Sequence, residues 1–141
     1  RAAWDLRKHF SAPVWAPQDA HGLEDAPDAT YSAGDSIPGG LIAYHTPGPA
    51  EVMFTLWRER PRSVLFLSDL LTHDGEGTPR FVDSKHQDDP ARTRASVRRI
   101  LEHLPVEALC FAHGAPILEE GATALREALR QDTEFPINSE A

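Results

Sequence analysis

Two runs in the middle of the chain, Leu41-Ile-Ala-Tyr44 and Ser63-Val-Leu-Phe-Leu67, are apolar without any polar alternation. A strand of this kind places apolar side chains on both sides of its sheet, so both faces need cover. Val52-Met-Phe-Thr-Leu-Trp57 lies between them, and Arg58-Glu-Arg-Pro-Arg62 joins it to the later run as a hairpin loop. Ala108-Leu-Cys-Phe-Ala112 is a fourth apolar run. The segments able to cover such a sheet are few, and that shortage constrains the fold more than any other feature.

The clearest cover is a helix after Asp88. Asp89 suits its cap, Pro90 suits its first turn, and Pro105 stops it. Val97, Ile100, Leu101 and Leu104 then form one stripe at helical spacing. A last helix, Leu118–Arg130, carries Leu118, Ala122, Leu125 and Leu129 on one face. The opening Ala2–Phe10 reads as the end of a helix, with Ala3, Leu6 and Phe10 in register. Ala12-Pro-Val-Trp15 reads as a short strand, and residues Gly22–Gly34 and Thr72–Asp88 as loops. Asp35-Ser-Ile-Pro-Gly-Gly40 reads as a tight turn between short strands. Strands followed by helix, strand, helix predict an α/β (α+β) mixed sheet with the helices on one face. The other face has no cover in these residues, which predicts either a homo-oligomer or a missing N-terminal segment.

The 141 residues fit one domain, 1–141, with a loosely held polar tail from Gln131 to Ala141. With 40% hydrophobic and 26% charged residues the chain is globular rather than disordered. No apolar run is long enough for a membrane helix, and the first ten residues lack a secretory signal's apolar core. A chain opening on Arg1 is expected of a processed or trimmed product. One cysteine, Cys110, excludes an internal disulfide framework and makes a reducing cytoplasm the default. Fourteen Lys and Arg against 22 Asp and Glu give a net charge of −8. Such a surface repels a phosphate backbone and argues against nucleic acid as a partner. Arg92, Arg94, Arg98 and Arg99 share one helix and read as its solvated face.

Three groups lie at strand ends, where rigid scaffold meets water: His45 before Thr46-Pro-Gly48, Asp69 after Ser68, and His113 before Gly114. Imidazole nitrogens and a carboxylate at one sheet edge suit a zinc-like cation. No local spacing of ligands supports that reading, and Asp69 as a turn cap with His113 as a turn residue is the alternative. His73, His86, Asp83, Asp88 and Asp89 read as a solvated loop, with a ligand set as the alternative. Cys110 reads as an inert core thiol, and Trp4, Trp15 and Trp57 as core or interface anchors.

The order of these pieces resembles the second half of the metallo-β-lactamase fold, an αββα sandwich. The resemblance rests on Gly34-Asp-Ser-Ile-Pro-Gly-Gly40, His45-Thr-Pro-Gly48, Phe66-Leu-Ser-Asp-Leu-Leu71 and Phe111-Ala-His-Gly114, and covers residues 12 to 130. It implies that Asp69 matches the family's metal-bridging aspartate and His113 its last histidine ligand. Ser68 stands where a glycine is usual. Pro49 follows Gly48 where the family's Thr-Pro-Gly-His motif carries its histidine, and His45 is the substitute in the other register. The family's His-x-His-x-Asp-His cluster is not among these residues and would precede Arg1.

Two functions follow as expectations. One is a metal-dependent hydrolase acting on an ester, thioester, lactam or phosphodiester, with zinc or another divalent metal held by Asp69, His113, His45 and a preceding segment. The other is a degenerate, metal-free member serving as a binding or structural protein. The small-molecule substrate is not legible. The chain alone is expected to hold no zinc tightly.

Overall fold

The four apolar runs pair side by side in the computed structural model, which describes residues 2–135. In chain order the elements are α1 (Ala2–Phe10), β1 (Trp15–Pro17), β2 (Ala29–Tyr31), β3 (Ser36–Ile37), β4 (Leu41–His45) and β5 (Phe54–Arg58). Then come β6 (Val64–Phe66), β7 (Leu71–Thr72), β8 (Arg80–Phe81), α2 (Pro90–His103), β9 (Ala108–Cys110) and α3 (Gly121–Arg130). The main sheet has the order β3-β4-β5-β6-β9. Its first three pairings are antiparallel and β6–β9 is parallel, because the chain returns to β9 through α2. The expected mixed α/β sheet is what forms.

Cross-strand register sorts the side chains onto two faces. Trp57, Leu65 and Leu109 are direct partners across β5, β6 and β9, and all three are buried. They meet Val97 and Ile100 of α2 and Leu125, Ala128 and Leu129 of α3 in one core, so both helices cover the same face. Each fully buried leucine or isoleucine there contributes about 2 kcal/mol. The next row, Leu56, Phe66 and Cys110, points to the other face. Leu56 and Cys110 are half-buried and Phe66 is 41% exposed.

α1 contrasts with the other helices. It buries no residue, and Leu6 and Phe10 lie open to water. Arg7 ties it to Asp25 at 3.0 Å and Asp28 at 3.6 Å. Exposed pairs of this kind contribute about 0–1 kcal/mol each.

Several expectations need correction. The early strand lies at Trp15–Pro17 rather than Ala12–Trp15, and it pairs in parallel with Ala29–Tyr31 inside the supposed Gly22–Gly34 loop. The Thr72–Asp88 loop holds the small β7–β8 pair and a 3-10 turn at Ser84–His86. Leu118 precedes α3 and is 61% exposed, so it takes no part in that helix's apolar stripe. Cys110 is half-buried, because β9 shows it to the open face.

Arg94 is the largest departure. It lies three residues before Val97 and therefore on the core face of α2, where it is 2% exposed. Its guanidinium grips Asp132 through two hydrogen bonds of 2.9 and 3.2 Å and stacks over Phe81 at 4.1 Å. Asp132 belongs to the tail expected to be loose, and residues 136–141 of that tail lie outside the described residues.

Candidate functional site

Parallel strands bring their C-terminal ends together, and this chain uses that fact once. Phe66 of β6 and Cys110 of β9 are in register, so the residues three further along each strand, Asp69 and His113, emerge side by side. His113 Nε2 stands 3.5 Å from Asp69 Oδ1, with side chains 78% and 51% exposed. The pair sits at the mouth of the sheet, where ligands of open α/β sheets bind.

The turns holding these two residues are unusual. Ser68 adopts a left-handed backbone, φ +53°, which costs a non-glycine residue about 1 kcal/mol. Glycine adopts that geometry without cost, so Ser68 is held there by its surroundings. The Ser68 hydroxyl donates to the Phe54 carbonyl at 2.6 Å, and Ala112 N donates to the Ser68 carbonyl at 3.3 Å. Gly114 has φ +114°, and a Cβ there would lie 1.6 Å from the His73 carbonyl oxygen. Only glycine fits at this crossing. Ala115 N donates to that same carbonyl at 3.1 Å, which pins the turn carrying His113 against β7's end.

The segment after β4 forms a further wall. Gly48, φ +145°, packs so closely on α2 that a Cβ would fall 2.2 Å from Thr93 Oγ1. Asp89 N donates to the Gly48 carbonyl at 2.8 Å and Asp88 N to the Pro49 carbonyl at 3.2 Å. Ser96 Oγ donates to the Pro47 carbonyl at 2.7 Å. These bonds carry His86 and Gln87 to the hollow that Asp69 and His113 share. Pro49, Ala50, Met53, Thr72 and Val82 complete its wall, and its volume is about 400 Å³. A mostly apolar hollow of that size with a few convergent polar groups has the character of a small-molecule site.

The expected residues are thus divided. Asp69 and His113 come together, and Pro49 joins them in the same hollow. His45 does not: its Nε2–H donates to the Glu51 carbonyl at 2.8 Å, and its ring packs on Phe54 in a separate hollow. His86 enters the hollow from the loop read as solvated rather than as a ligand set, and Met53 carries no mark in the sequence. No local motif marks them, since His86 arrives through backbone bonds, Asp88 N to the Pro49 carbonyl and Asp89 N to the Gly48 carbonyl, that span 39 and 41 residues. Among the described residues, no three His, Cys, Asp or Glu side chains stand together closely enough to hold a metal ion. The donors present therefore fit part of a metal site and not a whole one.

No family model matches the chain, and no curated protein matches it. Solved structures do. An archaeal metallo-β-lactamase superfamily protein from Sulfolobus tokodaii is 22% identical over 85% of this chain and 48% of its own, with a TM-score of 0.59. A metallo-β-lactamase from Pontibacter korlensis is 14% identical over 92% of this chain and 63% of its own, with a TM-score of 0.67. TTHA1623, solved in a di-iron-bound form, is 20% identical over 95% of this chain and 70% of its own, with a TM-score of 0.65. The chain thus spans about half to two thirds of the first two. It has the metallo-β-lactamase fold, over the portion that one mixed sheet and its covering helices build.

Proposed function

We propose that this chain is the C-terminal part of a metallo-β-lactamase-type, metal-dependent hydrolase, contributing Asp69 and His113 to a metal centre completed by residues outside it. The observation that carries this reading is the meeting of those two side chains, 3.5 Å apart, in a shared hollow of about 400 Å³. An imidazole nitrogen and a carboxylate oxygen are the donors zinc and related divalent ions take. A bound metal would supply an activated water for attack on an acyl or phosphoryl centre. Two donors alone carry no such reaction, because catalytic zinc needs three protein ligands. The half-buried Leu56–Phe66–Cys110 face supports the same reading, since a second layer lying there would bring its own ligands to the sheet mouth.

Pro49 favours a second reading. It occupies the hollow at the position where the family's motif has histidine, and it has no side-chain donor. A metal-free member would use the hollow to bind a small molecule.

Titration of the chain with cobalt(II), followed by absorption, separates the two. The first reading expects weak binding that Asp69→Ala and His113→Ala each abolish, and less than one zinc retained per chain after dialysis. Binding unchanged in both variants overturns it, and so does a full equivalent of retained zinc, which would mean a complete site within this chain. No cobalt binding at any concentration favours the metal-free reading.

A further inference from the structure

A second hollow, of about 230 Å³, lies on the other side of the segment that follows Gly48. Three rings stand in its wall beside Gln18, Ser32, Ala33 and Val52. Tyr31 and Phe54 meet nearly at right angles, 83°, with centroids 5.3 Å apart, and His45 lies 5.2 Å from Phe54. Asp19 and Glu51 stand at its rim, and no lysine or arginine lines it.

We propose that this hollow binds a small organic cation, an alkylammonium or quaternary ammonium group. Four observations carry the proposal. First, the rings are held by backbone rather than by each other. His45 and Phe54 are direct partners in the β4–β5 ladder, and Tyr31 pairs with Pro17 in β1–β2. The Tyr31 carbonyl also accepts from Gln18 N at 2.8 Å. Such a corner needs no rearrangement to accept a ligand, which keeps the ordering cost of binding low.

Second, ring faces are electron-rich and attract a cation within about 6 Å of the centroid. Third, the carboxylates add to that field. Arg92 of α2 engages Glu51, so Asp19 is the carboxylate at the rim with no ion pair among the described residues. Fourth, the net charge of −8 draws cations toward the whole surface. An anion would meet the Asp19 carboxylate and three electron-rich rings, while the guanidinium beside the rim, Arg92, is already engaged by Glu51. The volume suits a trimethylammonium head with a short chain.

Choline and its uncharged isostere 3,3-dimethylbutan-1-ol make the test, because they share shape and differ in charge. Each is titrated into the chain at matched ionic strength while ring-proton NMR signals of Tyr31 and Phe54 are followed. Choline is expected to shift both rings, with an affinity roughly tenfold above that of the isostere, in line with cation–π attraction in a partly desolvated site. Tyr31→Leu is expected to abolish the shift at Phe54. Asp19→Asn, an exposed change that leaves the fold intact, is expected to weaken choline several-fold and leave the isostere unchanged. Equal affinity for the two ligands overturns the proposal, as does the absence of any shift at these rings with choline. Equal choline affinity in Asp19→Asn overturns it as well, since the Asp19 carboxylate is one of its grounds.

Discussion

Arg94 shows how a single charged residue can sit in a core. Its guanidinium is satisfied on three sides: by Asp132 through two bonds, by the Pro90 carbonyl at 3.1 Å, and by the Phe81 ring. Removing the carboxylate would leave the cation buried without its partner, and that loss exceeds the net worth of the pair itself. Asp132→Ala is therefore expected to lower stability by about 3 kcal/mol in urea unfolding, with the same native secondary structure by circular dichroism. Arg94→Met, which removes the charge and keeps the volume, should restore much of that loss in the double variant. The pH dependence has a definite sign. Burial raises the Asp132 carboxyl, but the hydrogen bonds and charge of Arg94 outweigh it, so its pKa lies below the ordinary carboxylate value. A group depressed in the folded state adds stability above its unfolded pKa, about 4, and loses it as pH falls through the lower folded value. Wild type should shed this increment below about pH 4. Asp132→Ala should lack that part of the acid loss.

Among the elements, α2 is the one on which both hollows depend. Its N-terminus is capped by Asp89, whose carboxylate accepts from Arg92 N at 3.0 Å, and Pro90 fills the first turn. The same turn receives the chain after β4, through the Gly48 and Pro49 carbonyls and Thr93. Asp89→Ala should cost about 1 kcal/mol, as for other caps, while Asp89→Ser should cost only a few tenths. Thermal unfolding of the two variants checks this, and equal losses would mean that the cap contributes nothing beyond ordinary helix-end solvation. This helix was legible from its cap, its proline and its stripe, as were β4, β6 and β9 from their continuous apolarity, and β5 as a strand-like run between two of them. What was not legible shares a physical cause. β1–β2 and β7–β8 are two- and three-residue pairs set among turn formers, too short to show a period. Arg94 looks like any surface arginine until Asp132, 38 residues on, is brought to it. The candidate site divided along the same line. Asp69 and His113 could be placed because each lies three residues past an apolar strand and the resemblance points to both positions. His86 reads as solvated loop more readily than as a site residue, since loop backbone bonds alone carry it to the hollow.

At the scale of the whole molecule the sheet has one finished face and one unfinished face. Across β5, β6 and β9 the core row is fully enclosed, while the row one residue along, Leu56–Phe66–Cys110, reaches solvent. Apolar surface of this kind on a central sheet drives association when nothing covers it. The net charge of −8 opposes contact between copies, and salt screens that repulsion over about 10 Å at 0.1 M. The isolated chain should therefore self-associate in sedimentation velocity, more strongly in high salt than in low. Association through charged side chains would show the reverse salt dependence. Phe66→Ser should reduce the association without a comparable loss of stability, because Phe66 is already 41% exposed and leaves no buried cavity behind. Leu65→Ser, one residue earlier and fully buried, should instead unfold the chain. A monodisperse monomer at every salt and protein concentration would show that this face is stable in water, and the case for a covering layer would fall with it.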